Sequence, residues 1–336
     1  MSLQVIRRGM LTTIQDLGRF GLQRHGVVVS GAMDSFALRI ANLLVGNEET
    51  EGAIEITMIG PKLLFEKDSL IAICGGNLSP YIDGQRIPEW RPVFIKKGCV
   101  LSFGAAKLGC RSYLAVAGGF DIPVILESRS TYLRAGIGGF LGRSLKDGDV
   151  LHMRPPSDQS LRRTLLLSNK VGPNRFTVSN WSVGNDVIPN YQHNPVINVI
   201  KGGQYDWFTK DSKEQFFTSK FQVTPQSDRM GYRLSGPKLQ LSEPQELISE
   251  AVTAGTVQVP AEGNPIVLLA DRQTTGGYPK IAQVATVDLP VLAQVKPGEK
   301  ICFREISLEK AQKLLRIREQ KIQLLKQGLT LKEYTD

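Results

Sequence analysis

Three segments from the first half of this chain return, in the same order, in its second half. VIRRG at 5–9 recurs as VIKGG at 199–203, GPKL at 60–63 as GPKL at 236–239, and IKKGCVLSF at 95–103 as VKPGEKICF at 295–303. One four-residue match is weak. Three collinear ones point to a duplicated domain, with a period far longer than that of solenoid repeats. The chain should then fold as two related units, with the paired GPKL segments in equivalent elements. At 336 residues, each unit can bury a core of its own.

The local pattern within the copies is β. Short apolar runs such as SLIAICGG, SYLAVAGG, VLHM and GTVQVP are bounded by Gly, Pro, Asn or Asp, a spacing that favours barrels or sandwiches. Helices are few. The clearest begins after Asp34, with Phe36, Ala37, Ile40, Ala41 and Leu44 on one face and Gly46 placed to end it. Proline-bearing stretches at 154–159 and 188–195 lie between the copies and mark a boundary region. From Ser307 the pattern turns helical. Leu308, Ala311, Leu315, Ile322 and Leu325 form a stripe interrupted by Arg318, with Ser307 as the start cap and Gly328 as the stop. Such a helix either packs on its own barrel, the favoured reading, or offers its stripe to a partner.

Composition removes several classes of function. Net charge is +9, but the basic residues are dispersed and lack interleaved aromatics, which argues against nucleic acid. No apolar run approaches membrane-spanning length. The opening MSLQVIRRGM lacks the apolar middle of a signal peptide, so a cytoplasmic protein is expected. Cys74, Cys99, Cys110 and Cys302 form no CxxC pair and read as reduced core fillers. His25, His152 and His193 show no ligand spacing, so no metal is expected. The chain carries no GxxxxGK[ST] or GxSxG motif, and the glycines of AGIGGFLGR (135–143) do not fit GxGxxG.

Four polar, glycine-bearing clusters remain. TTIQDLGRFG holds Gln15, Asp16 and Arg19; VSGAMD holds Ser30 and Asp34; SDRMGYRLSG holds Asp228, Arg229, Tyr232 and Arg233. Each has a plain structural alternative. Asp34 can simply cap its helix, Asp16 can bond its own backbone, and Asp228 with Arg229 can form a turn beside a solvated Arg233. The fourth, LLADRQTTGGYPKIA at 268–282, resists such an account. After a buried strand it presents Asp271, Arg272, Gln273, Thr274, Thr275, Gly276, Gly277, Tyr278 and Lys280, more hydrogen-bonding groups than a turn uses.

TTIQDLGRFG, SGAMD with ANLLVGN, SRSTYLRAGIGG, SDRMGYRLSGP and LLADRQTTGGYPKIA together resemble one family, from about residue 5 to residue 303. It unites the KipI antagonists and the C subunit of bacterial 5-oxoprolinase with the second-subunit region of allophanate hydrolase, and is related to the carboxyltransferase region of urea carboxylase. The departures are small: Val28 stands where proline is expected, and Glu127 and Ala251 where glycine is expected. The resemblance implies two tandem cyclophilin-like β-barrels in a mainly β chain. The first occupies 1–190 with inserted segments and the second 196–304, leaving 305–336 as an amphipathic helical tail. It also implies a KipI-like 5-oxoprolinase B subunit, an A subunit, and ATP-dependent opening of 5-oxoproline to glutamate. In spore formers, it implies relief of KipI inhibition of a sporulation histidine kinase.

5-Oxoproline, urea and the ureido ring of biotin share an N–H beside a C=O. A site for that unit needs a carboxylate for the N–H and preorganised donors for the oxygen. Asp271 supplies the first, at a loop expected to border solvent. Gln273, Thr274, Thr275, Lys280 and the amides of Gly276 and Gly277 supply the second, and Tyr278 can wall the pocket or hand over a proton. Asp34 joins Asp271, Lys280 and Tyr278 as a catalytic candidate. Gln273, Thr274, Thr275, Gly276 and Gly277, together with Ser30, Asp228, Arg229, Tyr232, Arg233, Gln15, Asp16 and Arg19, are candidates for substrate binding. Lacking a phosphate loop, the chain reads as one component of a composite enzyme whose ATP site is unconventional or lies elsewhere. The alternatives are a non-catalytic regulator that only binds KipI, and a biotin-dependent carboxyltransferase component.

Overall fold

Short β-branched runs punctuated by glycine favour strands over helices, and the computed structural model, which describes residues 2–332, is accordingly mainly β, with five α-helices among the described residues. These residues form two compact units. One contains the chain up to Gly18, Asp34–Pro189 and the chain from Gln320 onward; the other contains Arg19–Met33 and Asn190–Glu319.

The first unit encloses its core with two six-stranded sheets. One runs, in spatial order, Val150–His152, Ser2–Arg7, Lys62–Phe65, Val100–Phe103, Pro80–Ile82 and Gln85–Arg86. The other runs Phe176–Val178, Pro92–Ile95, Ser69–Asn77, Leu108–Val116, Ala53–Thr57 and Leu11–Gln15. Leu3, Ile54, Phe65, Ile71 and Leu114 meet between them, all fully buried. In the second unit seven strands close a barrel: Val196–Lys201, Lys280–Val284, Thr256–Gln258, Ile266–Leu268, Gly231–Ser235, Phe221–Val223 and Lys300–Glu305, the last pairing in parallel with the first. Phe216 from the helix Lys210–Thr218 stacks on Phe303, ring centres 4.4 Å apart, at the heart of this barrel.

Two of the three repeated segments have matching settings. VIRRG and VIKGG each lead out of the first strand of their unit. The Lys-x-Gly turns are copies of one another: Gly98 N donates to Phe65 O at 2.7 Å and Gly298 N to Val223 O at 2.8 Å, with both glycines in the left-handed region. The strands that follow these turns pair antiparallel with Lys62–Phe65 and Phe221–Val223 respectively. The GPKL pair departs from the expectation. The first runs into the strand Lys62–Phe65, whereas the second lies in the loop after Gly231–Ser235. The two share a packing device instead. A Cβ would come within 2.5 Å of Phe103 at Gly60 and within 2.7 Å of Phe221 at Gly236, so each Gly-Pro lets the backbone lie against an aromatic ring.

The helix Ser35–Leu44 forms where expected, with Asp34 Oδ1 accepting from Ala37 N at 2.9 Å and Gly46 left-handed at its end. The C-terminal helix Leu308–Lys332 starts on Ser307, whose hydroxyl accepts from Lys310 N, but it runs on through Gly328. One glycine costs a helix only about 1 kcal/mol, and buried Leu329 beyond it outweighs that. Ile322 and Leu329 are buried and Leu308 is exposed, so the stripe packs mainly through its C-terminal half. No helix among the described residues is long and apolar enough to cross a membrane. All four cysteines are free; Cys74, Cys99 and Cys110 are buried, and burial pushes the Cys99 thiol up to about 11. Glu127, at the position where glycine was expected, is left-handed with φ 62°.

Candidate functional site

The second unit brings Ser30, Arg229 and Asp271 together. Asp271 follows the strand Ile266–Leu268, and its amide donates to Arg229 O at 2.9 Å, which ties the start of the loop to the SDRMGYR turn. Arg229 then grips the carboxylate, with Nε to Oδ2 at 2.9 Å and Nη2 to Oδ1 at 3.1 Å, while Ser30 Oγ donates to Oδ1 at 2.7 Å. Arg229 Nη2 also donates to Gly31 O. Ser30 holds a left-handed backbone, φ 56°, a conformation that non-glycine residues keep only where their surroundings demand it. The expectation of a solvent-bordering carboxylate is not met. Asp271 is 5% exposed, and both of its oxygens are engaged within the unit.

Beyond Asp271 the loop opens outward. Gln273, Thr275 and Tyr278 are exposed, Tyr278 at 47%, and Thr274, Gly276, Gly277 and Lys280 are half-buried. Thr275–Gly276 pairs antiparallel with Glu250–Ala251, and Val252 N donates to Thr274 O at 3.1 Å. Lys280 Nζ reaches Glu250 Oε2 at 2.8 Å, and this contact holds the Glu250 carboxyl below its usual range. Sequence reading missed Gln258, one strand away in register with Lys280. It is 8% exposed, and its Oε1 meets no donor among the described residues. A Cβ on Gly276 would come 3.0 Å from that oxygen. The signal was faint, a glutamine at a barrel-strand position within GTVQVP.

The other candidates do different work. Asp228 Oδ1 accepts from Met230 N at 2.8 Å and from Gly231 N at 3.3 Å, an Asx turn. Tyr232 lies in the barrel core with its hydroxyl donating to Val295 O at 3.0 Å, and Arg233 is exposed. Arg19 is fully buried, its amide donating to Val29 O. In the first unit, Asp16 organises the SRST segment. Ser128 Oγ donates to its Oδ1 at 2.7 Å, Arg129 N donates to its Oδ2, and Gly18 N donates to its Oδ1 at 2.8 Å. Gln15 Nε2 donates to Thr131 O at 3.2 Å. Asp34 is fully buried; beyond its cap, its own amide donates to Tyr113 Oη at 2.8 Å, and Tyr113 Oη in turn donates to Glu55.

The glycine-rich 136–142 segment offers no phosphate cradle. Gly136 N, Gly139 N and Gly142 N donate to Leu133, Arg129 and Gly138 carbonyls, and a Cβ at Gly142 would meet Gly136 O at 1.9 Å. Gly139 and Gly142 thus serve close packing, against Thr131 and Gly136 respectively.

A polar loop between two strands of the closed barrel is thus anchored by a buried Asp–Arg–Ser clasp. Residues 25–305 match the carboxyltransferase domain, subdomain A and B, and the chain belongs to that family. It is 40% identical over 304 residues to the 5-oxoprolinase C subunit of Haemophilus influenzae, covering 90% of this chain and 91% of that protein. Against the 5-oxoprolinase C subunit of Escherichia coli the identity is 40% over 316 residues, 93% of each. Among solved structures, the urea amidolyase of K. lactis superposes with a TM-score of 0.85 at 32% identity over 96% of this chain. This chain spans only 20% of that much longer one.

Proposed function

We propose that this chain is the C subunit of an ATP-dependent 5-oxoprolinase. Together with an A subunit, plus a KipI-like B subunit, it opens 5-oxo-L-proline to L-glutamate in the cytoplasm. The observation that carries the reading is the 40% identity, along nine-tenths or more of both chains, to two proteins of that name. Opening a lactam breaks a planar amide and places negative charge on its oxygen, so donors fixed before the reaction lower the barrier. Lys280 Nζ, the hydroxyls of Thr274 and Thr275, Gln273 and the amide of Gly277 are the donors at this loop, the Gly276 amide being used in the pairing with Glu250–Ala251, and Tyr278 is the exposed proton carrier. Asp271 acts as a positioning residue that holds Ser30 and Arg229, since both its oxygens are engaged. ATP is bound and used elsewhere in the complex, and no step in this chain runs through it.

The test is reconstitution: 5-oxoproline-dependent ATP hydrolysis by the candidate partners, with this chain added or omitted. Turnover should require the chain, and light scattering should show one mixed complex at micromolar concentration. Turnover unchanged by omission would overturn the proposal. A second reading, a carboxyltransferase component, is favoured by the match to K. lactis urea amidolyase; it needs a biotinylated partner, and depletion of biotinylated proteins would abolish activity. Relief of KipI inhibition, the regulatory reading, needs only partner binding. Lys280→Met retaining that binding while losing turnover separates the two.

A further inference from the structure

Arg272 follows Asp271 directly, yet its side chain has no comparable partner. Asp271 is taken by Arg229 and Ser30, and Glu250, on the adjoining strand, by Lys280. Arg272 reaches two main-chain carbonyls only, Val252 O from Nε at 3.4 Å and Leu269 O from Nη1 at 3.3 Å. Both are long for hydrogen bonds, and no carboxylate pairs with Arg272 among the described residues. The side chain is half-buried, and burial holds its guanidinium below the usual value. Folded proteins rarely leave a desolvated cation without a counter-ion, because the uncompensated charge is costly. A tether between two carbonyls would not require a charge at all. Nη2 meets no protein acceptor among the described residues, which leaves part of the planar fork open to an anion of matching geometry.

We propose that Arg272 is the carboxylate anchor of this loop and binds the acid group of the substrate whose amide the neighbouring donors receive. The inference rests on the 5-oxoprolinase reading and gives that reading its specificity. 5-Oxoproline carries a carboxylate beside its ring nitrogen; urea carries none. Arg272 therefore selects the acid over neutral amides, and it adds binding in ground state and transition state alike.

The test is calorimetric titration of the assembled complex with L-5-oxoproline and with its carboxamide, comparing wild type, Arg272→Met and Arg272→Lys. Wild type should bind the acid about 10- to 100-fold more tightly than the carboxamide, the range of a charge-assisted hydrogen-bond pair. Arg272→Met should bind the two alike, and Arg272→Lys should keep part of the preference because it retains charge without the fork. A merely structural arginine would weaken both ligands equally. The inference is overturned if Arg272→Met keeps the preference, if wild type shows none, or if neither ligand binds. A wild-type complex that hydrolyses no ATP with 5-oxoproline defeats the proposed function separately, and the acid-over-carboxamide ratio still decides the role of Arg272.

Discussion

Arg229 and Asp271, 42 residues apart in sequence, form a two-point ion pair with Nε–Oδ2 at 2.9 Å and Nη2–Oδ1 at 3.1 Å, their side chains 6% and 7% exposed. Breaking such a pair from one side strands a buried charge, at a cost of about 3–5 kcal/mol. Asp271→Asn should therefore lower the urea midpoint as well as activity, the slope staying the same. Denaturant unfolding of the isolated chain reads this directly. An unchanged midpoint would show that the clasp contributes nothing to folding.

Lys280 contrasts with it. Its partner Glu250 is half-exposed, and such pairs contribute less than about 1 kcal/mol. Lys280→Met should leave unfolding nearly untouched. If the ammonium holds charge developing on the lactam oxygen, kcat of the complex should fall by about 100- to 1000-fold. A wild-type kcat would remove Lys280 from the chemistry.

The glycine pair of VIKGG permits a matched comparison. A Cβ at Gly202 would stand 2.2 Å from Lys280 O, a backbone atom that cannot step aside, whereas nothing lies within 4 Å at Gly203. Gly202→Ala should cost about 1–3 kcal/mol, and Gly203→Ala should stay within about 0.5 kcal/mol. Thermal melts of the two variants side by side decide it, and equal melting temperatures would contradict the packing.

Glu127 is exposed and left-handed, φ 62°. Left-handed backbone costs a non-glycine residue about 1 kcal/mol, and glycine relieves it. Glu127→Gly should raise stability by up to about 1 kcal/mol in a chemical melt, while a loss would mean that the glutamate makes a compensating contact.

Arg143 donates to both oxygens of Asp149, at 2.7 and 2.8 Å, and these bonds hold the carboxyl below its usual range even though burial pulls the other way. A depressed folded pKa means that the unfolded chain binds the proton first. The stabilisation is thus present above the unfolded value, about 3.9, and is lost as pH falls through the lower folded one. Arg143→Met should be less stable than wild type at pH 7, and the gap should narrow below about pH 4. Urea melts across that range provide the check; a constant gap would mean that the arginine acts through packing alone.

Local features of this fold were legible in the residues. The match of IKKGCVLSF to VKPGEKICF, the Asp34 cap and the β-rich runs each depend on a few neighbours along the chain, where φ preference and side-chain period act directly. The surplus of polar groups at 268–282 marked the loop for the same reason, since it exceeded what a local turn consumes. Partners were not legible. Asp271 meets Arg229 and Ser30 at separations of 42 and 241 residues, and nothing in LLADRQTTGGYPKIA distinguishes an aspartate facing substrate from one locked in a buried clasp. Gln258 joined the site through barrel register with Lys280. The GPKL copies, identical in sequence, ended in a strand and in a loop because strand pairing is settled by the neighbours each segment finds. Identity along the chain determined which residues could bond, and closure of the barrel decided which of them still had a free face.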